Sequence, residues 1–225
     1  MLDCGGGPGR YAIELARQGY ETILFDLSPE CLELAEGKAA EAGVALAGFE
    51  QGTATDLSRF PDGCFDAVLV MGPMYHLLQE AERRSALQEA LRVLRPGGML
   101  FAAFISRYAA IRWSAVRDPL WIVEDADRVQ KLLDTGVLPG RRSGQPGFLA
   151  HYAHPTEVIP FVEREGFEVL DLLAVEGVIS QIEGSVNELT GEAWDAWVDL
   201  NYQLCRDPCI HGCVEHLLIV ARRPH

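Results

Sequence analysis

The stretch Asp3-Cys4-Gly5-Gly6-Gly7-Pro8-Gly9, followed by a helical pattern with Ala12, Leu15 and Ala16 on one face, decides the fold. Glycines here let the main chain turn sharply and approach a ligand with no Cβ in the way. A helix starting directly behind them adds N–H groups without helical partners and a positive dipole end. Taken alone, such a loop is equally a tight turn between a strand and a helix. Its surroundings separate the two readings.

Outward from the loop, short apolar runs alternate with helical patterns through residue 105, which predicts strand-helix-strand units and an α/β fold with a mostly parallel sheet. Strands are expected at Glu21–Phe25, Leu46–Phe49, Phe65–Met71 and Met99–Ile105. Ser28 and Pro29 supply a cap and a first helical residue for a helix to about Gly43. Leu77, Ala81, Leu87, Ala90, Leu91 and Leu94 form a helical stripe ending at Pro96-Gly97-Gly98. A helix at Pro155–Glu165 and strands at Phe167–Ala174 and Glu215–Ala221 complete the pattern. Two segments break it: Ser106–Ala150, with seven basic and five acidic residues, and the mostly helical Glu176–Val214. Both leave from the carboxyl ends of strands, where ligands bind in open parallel sheets, so both are expected to cover the site as lid and substrate walls.

Composition narrows the class. The 225 residues are 48% hydrophobic and 23% charged, ordinary for one globular domain, and no apolar run approaches the length of a bilayer span. A cytoplasmic protein without a membrane partner is expected, its six cysteines reduced. Nineteen basic against 33 acidic residues give a net charge of −14, which speaks against nucleic acid as a partner.

Five pieces in order resemble the class I S-adenosylmethionine-dependent methyltransferases: the Asp3–Gly9 loop, Asp26 closing strand two, Gly52-Thr53-Ala54-Thr55-Asp56-Leu57, Phe65-Asp66-Ala67-Val68-Leu69, and Leu94-Arg95-Pro96-Gly97-Gly98. The resemblance implies a Rossmann-like seven-stranded sheet with helices on both faces and an antiparallel last strand. It also implies S-adenosyl-L-methionine as cofactor and a methyltransferase of the bacterial small-molecule type. Asp26 can accept both ribose hydroxyls with its two carboxylate oxygens. By resemblance, Gly5 and Gly7 bring main chain to the methionyl and ribose parts, Asp3 orients the loop and the methionine end, and Leu27 and Met71 contact adenine and the sulfonium side. Thr53 stands where many relatives carry an aspartate for the adenine amino group, so that contact falls to the Ala54 N–H, to Thr53 itself, or to Asp56.

Tyr75 and His76, just past strand four, are the candidate bases for an acceptor that arrives protonated; packing at the start of the next helix is the competing role. Gly72-Pro73-Met74-Tyr75 replaces the Asn-Pro-Pro-Tyr of amine methyltransferases acting on nucleic acid and protein, which favours a small-molecule O, N or C acceptor. Arg107, Arg112 and Arg117 suit an anionic acceptor or simply a solvated surface. Trp113, Trp121, Trp194 and Trp197 line a pocket or pack. Cys205, Cys209 and Cys213 with His211 and His216 match no standard zinc spacing, and no metal is expected. His151 and His154 serve as caps or pocket bases.

Two other functions share these motifs. A dinucleotide oxidoreductase would use the loop and Asp26, but Arg10 occupies the place of its third glycine. A non-catalytic S-adenosylmethionine sensor would use the same site. Only Met1 and Leu2 precede Asp3 in a strand expected to run about five residues, so a shortened amino terminus is expected.

Overall fold

The computed structural model describes residues 1–138 and 149–225; positions 139–148 of the first insertion lie outside the described residues. The chain opens with β1 (Leu2–Cys4), α1 (Arg10–Arg17), β2 (Ile23–Asp26) and α2 (Pro29–Glu41). Ser28 Oγ accepts from the Cys31 N–H at 3.2 Å and Pro29 takes the first helical position. A hydroxyl cap of this kind contributes about 1 kcal/mol. Next come β3 (Gly48–Gln51), β4 (Phe65–Val70), α3 (Pro73–His76) and α4 (Glu80–Val93). A capping box sets the start of α4, the Gln79 N–H donating to Glu82 Oε2 at 3.2 Å. Then follow β5 (Leu94–Ser106), α5 (Ala109–Arg117), α6 (Trp121–Glu124), α7 (Ala126–Thr135), β6 (Val137–Leu138), β7 (Ala150–Ala153), α8 (Pro155–Arg164) and β8 (Glu168–Ala174). A 3-10 turn (Gly177–Ile179), α9 (Gly184–Asn187), α10 (Glu192–Leu204), α11 (Pro208–His211) and β9 (His216–Arg222) close the chain.

These elements divide into two units. The first holds residues 1–103, 161–170 and 220–225. Its strands run in the order β3-β2-β1-β4-β5, each neighbouring pair parallel. Parallel strands covered on both faces read as continuous apolar runs, and β4 keeps five of its six residues buried. Ala12 of α1, Leu24 of β2, and Leu32 and Ala35 of α2 form one buried cluster. Each leucine in it contributes about 1.5–3 kcal/mol by leaving water. Glu165, 6% exposed, takes hydrogen bonds from Arg84 Nε (2.8 Å) and Gln88 Nε2 (2.9 Å) of α4.

One boundary is displaced from its expected place. The helix stops at Val93, and β5 runs straight through Pro96-Gly97-Gly98, where the sequence predicts a break. The register explains it: Phe65 pairs with Leu94 and Ala67 with Met99, so β5 carries its extra residues as a bulge against β4.

The second unit holds residues 104–160 and 171–219. There the end of β5 pairs in parallel with β7 (Ile105 with Tyr152, Ser106 with Ala153), and β6 pairs antiparallel with β7. Among the described residues β6 and β7 raise the strand count to nine, where seven are expected. β9 is antiparallel to β5, as expected: the Gly97 N–H donates to the Arg223 carbonyl and the Ser106 N–H to the Glu215 carbonyl. Among the described residues, 106–138 hold α5, α6, α7 and β6 and 176–214 hold the 3-10 turn, α9, α10 and α11, and all six cysteines are free thiols. Among the described residues no helix is long and apolar enough to cross a membrane.

Candidate functional site

In the first unit the carboxyl ends of β1, β2, β3 and β4 carry, in turn, the glycine loop, Asp26, Gly52-Thr53 and Met71–His76. Main-chain bonds knit the first three together. The Gly5 N–H donates to the Phe25 carbonyl at 2.7 Å, and the Gly52 N–H to the Asp26 carbonyl at 2.9 Å. Asp26 is the hub. Its Oδ2 accepts from the Gly7 N–H at 2.7 Å and its Oδ1 from the Ser28 N–H at 2.9 Å. Each carboxylate oxygen has a second lone pair, so both retain accepting capacity.

Gly5 and Gly7 differ in what they tolerate. Both have positive φ, 69° and 54°. A Cβ on Gly5 would sit 2.5 Å from the Pro73 ring, whereas one on Gly7 would meet nothing within 4 Å. Gly5 is therefore closed in by the turn after β4, and Gly7 faces open space. That opening lies beside the half-buried Asp26 carboxylate.

Asp3 lies beneath the loop with no exposed surface. Its Oδ2 accepts from the Ala12 N–H at 3.1 Å in α1, while Oδ1 is buried without a partner. Burial, reinforced by the Asp26 charge, pushes its pKa up to about 7 against the pull of the Ala12 bond. An unsatisfied buried oxygen at a ligand loop fits a cationic or hydrogen-donating ligand group.

After β4, Tyr75 and His76 lie with ring centroids 4.8 Å apart on α3. Burial raises the Tyr75 pKa, with the Tyr11 phenol adding to it. Partial desolvation holds His76 below the ordinary histidine value although Asp26 pulls the other way. His76 is exposed, Tyr75 and Met71 are partly buried, and Leu27 is 68% exposed. Beyond β3, Thr53 Oγ1 shares a hydrogen bond with Thr55 Oγ1 at 2.9 Å and Ala54 is buried. Asp56 is exposed, and its Oδ1 accepts from the Ser58 N–H at 3.0 Å. A cavity of about 1030 Å³ opens at the other ends of these strands, lined by Met1, Ile23, Phe65 and Met99, and no candidate residue reaches it.

In the second unit the structure groups residues that the sequence reading kept apart. Glu176 Oε1 lies 2.7 Å from His216 Nδ1, and its Oε2 accepts from the Glu215 and His216 N–H groups at 3.1 and 2.9 Å. These two glutamates and the histidine offer ligand atoms within 4.8 Å of one another. Their spacing of about 40 residues leaves no local signal. Of the two histidines before α8, His154 bonds Tyr108 OH through Nε2 at 2.8 Å and accepts from the Thr156 N–H, whereas His151 belongs to β7.

The parallel strands, with the glycine loop and Asp26 at their carboxyl ends, define an α/β fold of the kind that binds its ligand there. Residues 1–98 match the methyltransferase domain family. The whole chain is 25% identical to a tRNA 5-carboxymethoxyuridine methyltransferase of Escherichia coli O157:H7, covering 80% of that protein. It is 27% identical over its whole length to a ubiquinone biosynthesis O-methyltransferase of Ralstonia nicotianae, covering 76% of it. A solved structure of a Methanosarcina mazei protein described as an S-adenosylmethionine-dependent methyltransferase has the same fold, with a TM-score of 0.69 at 20% identity, over 99% of this chain and 91% of that one. Residues 1–98 carry a methyltransferase domain and the relatives aligned along the chain are named methyltransferases, which supports an S-adenosylmethionine-dependent enzyme with S-adenosylmethionine as its cofactor.

Proposed function

We propose that the protein methylates a small-molecule acceptor, the glycine loop and Asp26 holding the cofactor. The observation that carries this reading is Asp26 bonded to the Gly7 N–H at 2.7 Å beside open space. When bound, S-adenosylmethionine supplies an activated methyl carbon for in-line displacement. Asp26 accepts the ribose hydroxyls with its remaining lone pairs. Gly5 and Gly7 bring main chain to the methionyl and ribose parts. Asp3 faces the methionine end, where its partnerless Oδ1 takes up a donor. Leu27 covers adenine from its exposed position, Met71 borders the sulfonium, and the Ala54 N–H with the Thr53 hydroxyl contacts the adenine edge. Asp56 is left to its turn with Ser58.

For an acceptor that arrives protonated, His76 is the base and Tyr75 a donor. A histidine held below its ordinary pKa is mostly neutral at pH 7, whereas a partly buried tyrosine stays protonated.

Transfer to tRNA is the second reading, since one relative aligned along this whole chain is named for it. The net charge of −14 weighs against it, because tRNA binding relies on basic residues neutralising phosphates. The test offers methyl-labelled cofactor with bulk tRNA or with a panel of phenolic, carboxylic and amine small molecules. Label in the small-molecule fraction supports the proposal; label in tRNA alone overturns it.

A further inference from the structure

Within the second unit, two carboxylates and an imidazole that methyl transfer does not use stand together. Glu176 follows β8, while Glu215 and His216 stand at the start of β9. Glu176 Oε1 lies 2.7 Å from His216 Nδ1, and one ligand atom from each of the three falls within 4.8 Å of the others. All three side chains belong to partly buried residues. Each carboxylate is also held through its other oxygen or by a neighbour outside the group. Glu176 Oε2 accepts the Glu215 and His216 N–H groups at 3.1 and 2.9 Å, which leaves Oε1 to face the imidazole. The Gln181 amide donates to Glu215 Oε1. Supporting bonds of this kind orient the ligands of a metal ion.

Charge points the same way, and it rests on a fourth residue. Glu183 Oε2 is buried with no hydrogen-bond donor. Arg112 gives Nη2 to the Ser180 carbonyl at 2.9 Å, and its Nη1, like the Ser180 Oγ, is buried without a partner, so neither donor serves that oxygen. Burial first, then the charges of Glu176 and Glu183, raise the Glu215 pKa against the pull of His216 and Arg117. Three carboxylates thus act on one half-buried place, and a buried acceptor without a donor is relieved by a cation. The spacing suits a first-row divalent ion. Oxygen and nitrogen ligands about 2.1 Å from zinc lie roughly 2.7–3.4 Å apart along the edges of its coordination shell. The Glu176–His216 separation is such an edge, with a shared hydrogen in place of the ion. Two carboxylates with an imidazole match zinc, whereas magnesium takes oxygen ligands and keeps its waters.

We propose that Glu176, Glu215 and His216 form a binding site for a zinc-like divalent ion, which ties the end of β8 to the start of β9. The proposal is independent of which acceptor is methylated. Cobalt(II) is the probe, because it takes the ligands of zinc and reports them by its spectrum. Oxygen and nitrogen donors give weak visible bands, whereas a thiolate adds an intense charge-transfer band in the near ultraviolet. The exposed Cys64, Cys209 and Cys213 make that distinction necessary. Cobalt chloride is titrated into the untagged, chelator-treated full chain. The expected result is a saturable set of visible bands without the thiolate band, displaced by one equivalent of zinc and retained in an about hundred-fold excess of magnesium. Glu215→Gln keeps the side-chain volume and removes a charge that burial already disfavours, so the fold should accept it. It is expected to weaken cobalt binding at least roughly ten-fold, since the loss of even an outer partner of a ligand costs that much. His216→Gln, the second variant, is expected to weaken it by at least the same factor. A thiolate band, no saturable visible spectrum, displacement by magnesium, or unchanged cobalt affinity in either folded variant overturns the proposal. The wild-type spectrum alone decides it if both variants fail to fold.

Discussion

Asp3 makes the protein less stable as pH rises, and the size of the effect follows from its burial. In the folded chain its pKa stands at about 7, and unfolding returns it to the ordinary aspartate value near 3.8. The folded state therefore holds a proton that the unfolded state has released. The group's contribution is unaffected below about pH 4, falls as pH rises from there to 7, and is flat above. Integrated over that window the loss is on the order of 4 kcal/mol, of which about 3 kcal/mol falls between pH 5 and pH 8. Asp3→Asn keeps an oxygen for the Ala12 N–H and removes the charge. Urea unfolding of wild type and variant at pH 5, 6, 7 and 8 reads the difference directly. The variant should gain relative stability with each step in pH and level off above 7. A constant offset across the range, or a variant that loses ground as pH rises, would refute the reasoning.

Gly5→Ala and Gly7→Ala should separate folding from binding. The first drives a Cβ into the Pro73 ring at positive φ and should cost at least about 2 kcal/mol in chemical denaturation. The second meets open space, should cost only about 1 kcal/mol, and should instead weaken cofactor binding as read by calorimetry. His216 is raised above its ordinary pKa, chiefly by its hydrogen bond to Glu176. The stability this supplies is fully present below about pH 6.5 and is lost as pH climbs through the raised value. Glu176→Gln should flatten that limb in melting curves taken from pH 6 to 9, and an unchanged limb would show that the pair carries none of it.

What the sequence disclosed is what repeats locally. The apolar run of β4, the Ser28-Pro29 cap and the glycine loop each act within a few residues, and the structure has them where their periodicity predicts. The antiparallel pairing of β6 with β7 escaped because β6 has only two residues, too few to show alternation. Pro96-Gly97-Gly98 read as a stop because proline and glycine break helices, but paired against β4 the same residues form a bulge within a strand. Asp26 was legible as a carboxylate at a strand end. That both of its oxygens bind the main chain, and that Asp3 is wholly buried, depend on packing between segments distant in sequence. The Glu176–His216 pair and the partnerless Arg112 and Ser180 atoms are of the same kind.

The most direct test of the cofactor site is a calorimetric titration of S-adenosylhomocysteine into the wild-type protein and into Asp26→Ala, with a nicotinamide dinucleotide as control. Saturable micromolar binding to the wild type is expected, with a roughly ten- to hundred-fold loss in Asp26→Ala for a charged double hydrogen bond to ribose, and no dinucleotide binding. Equal affinity in the two proteins, or tight binding of the dinucleotide alone, would contradict it.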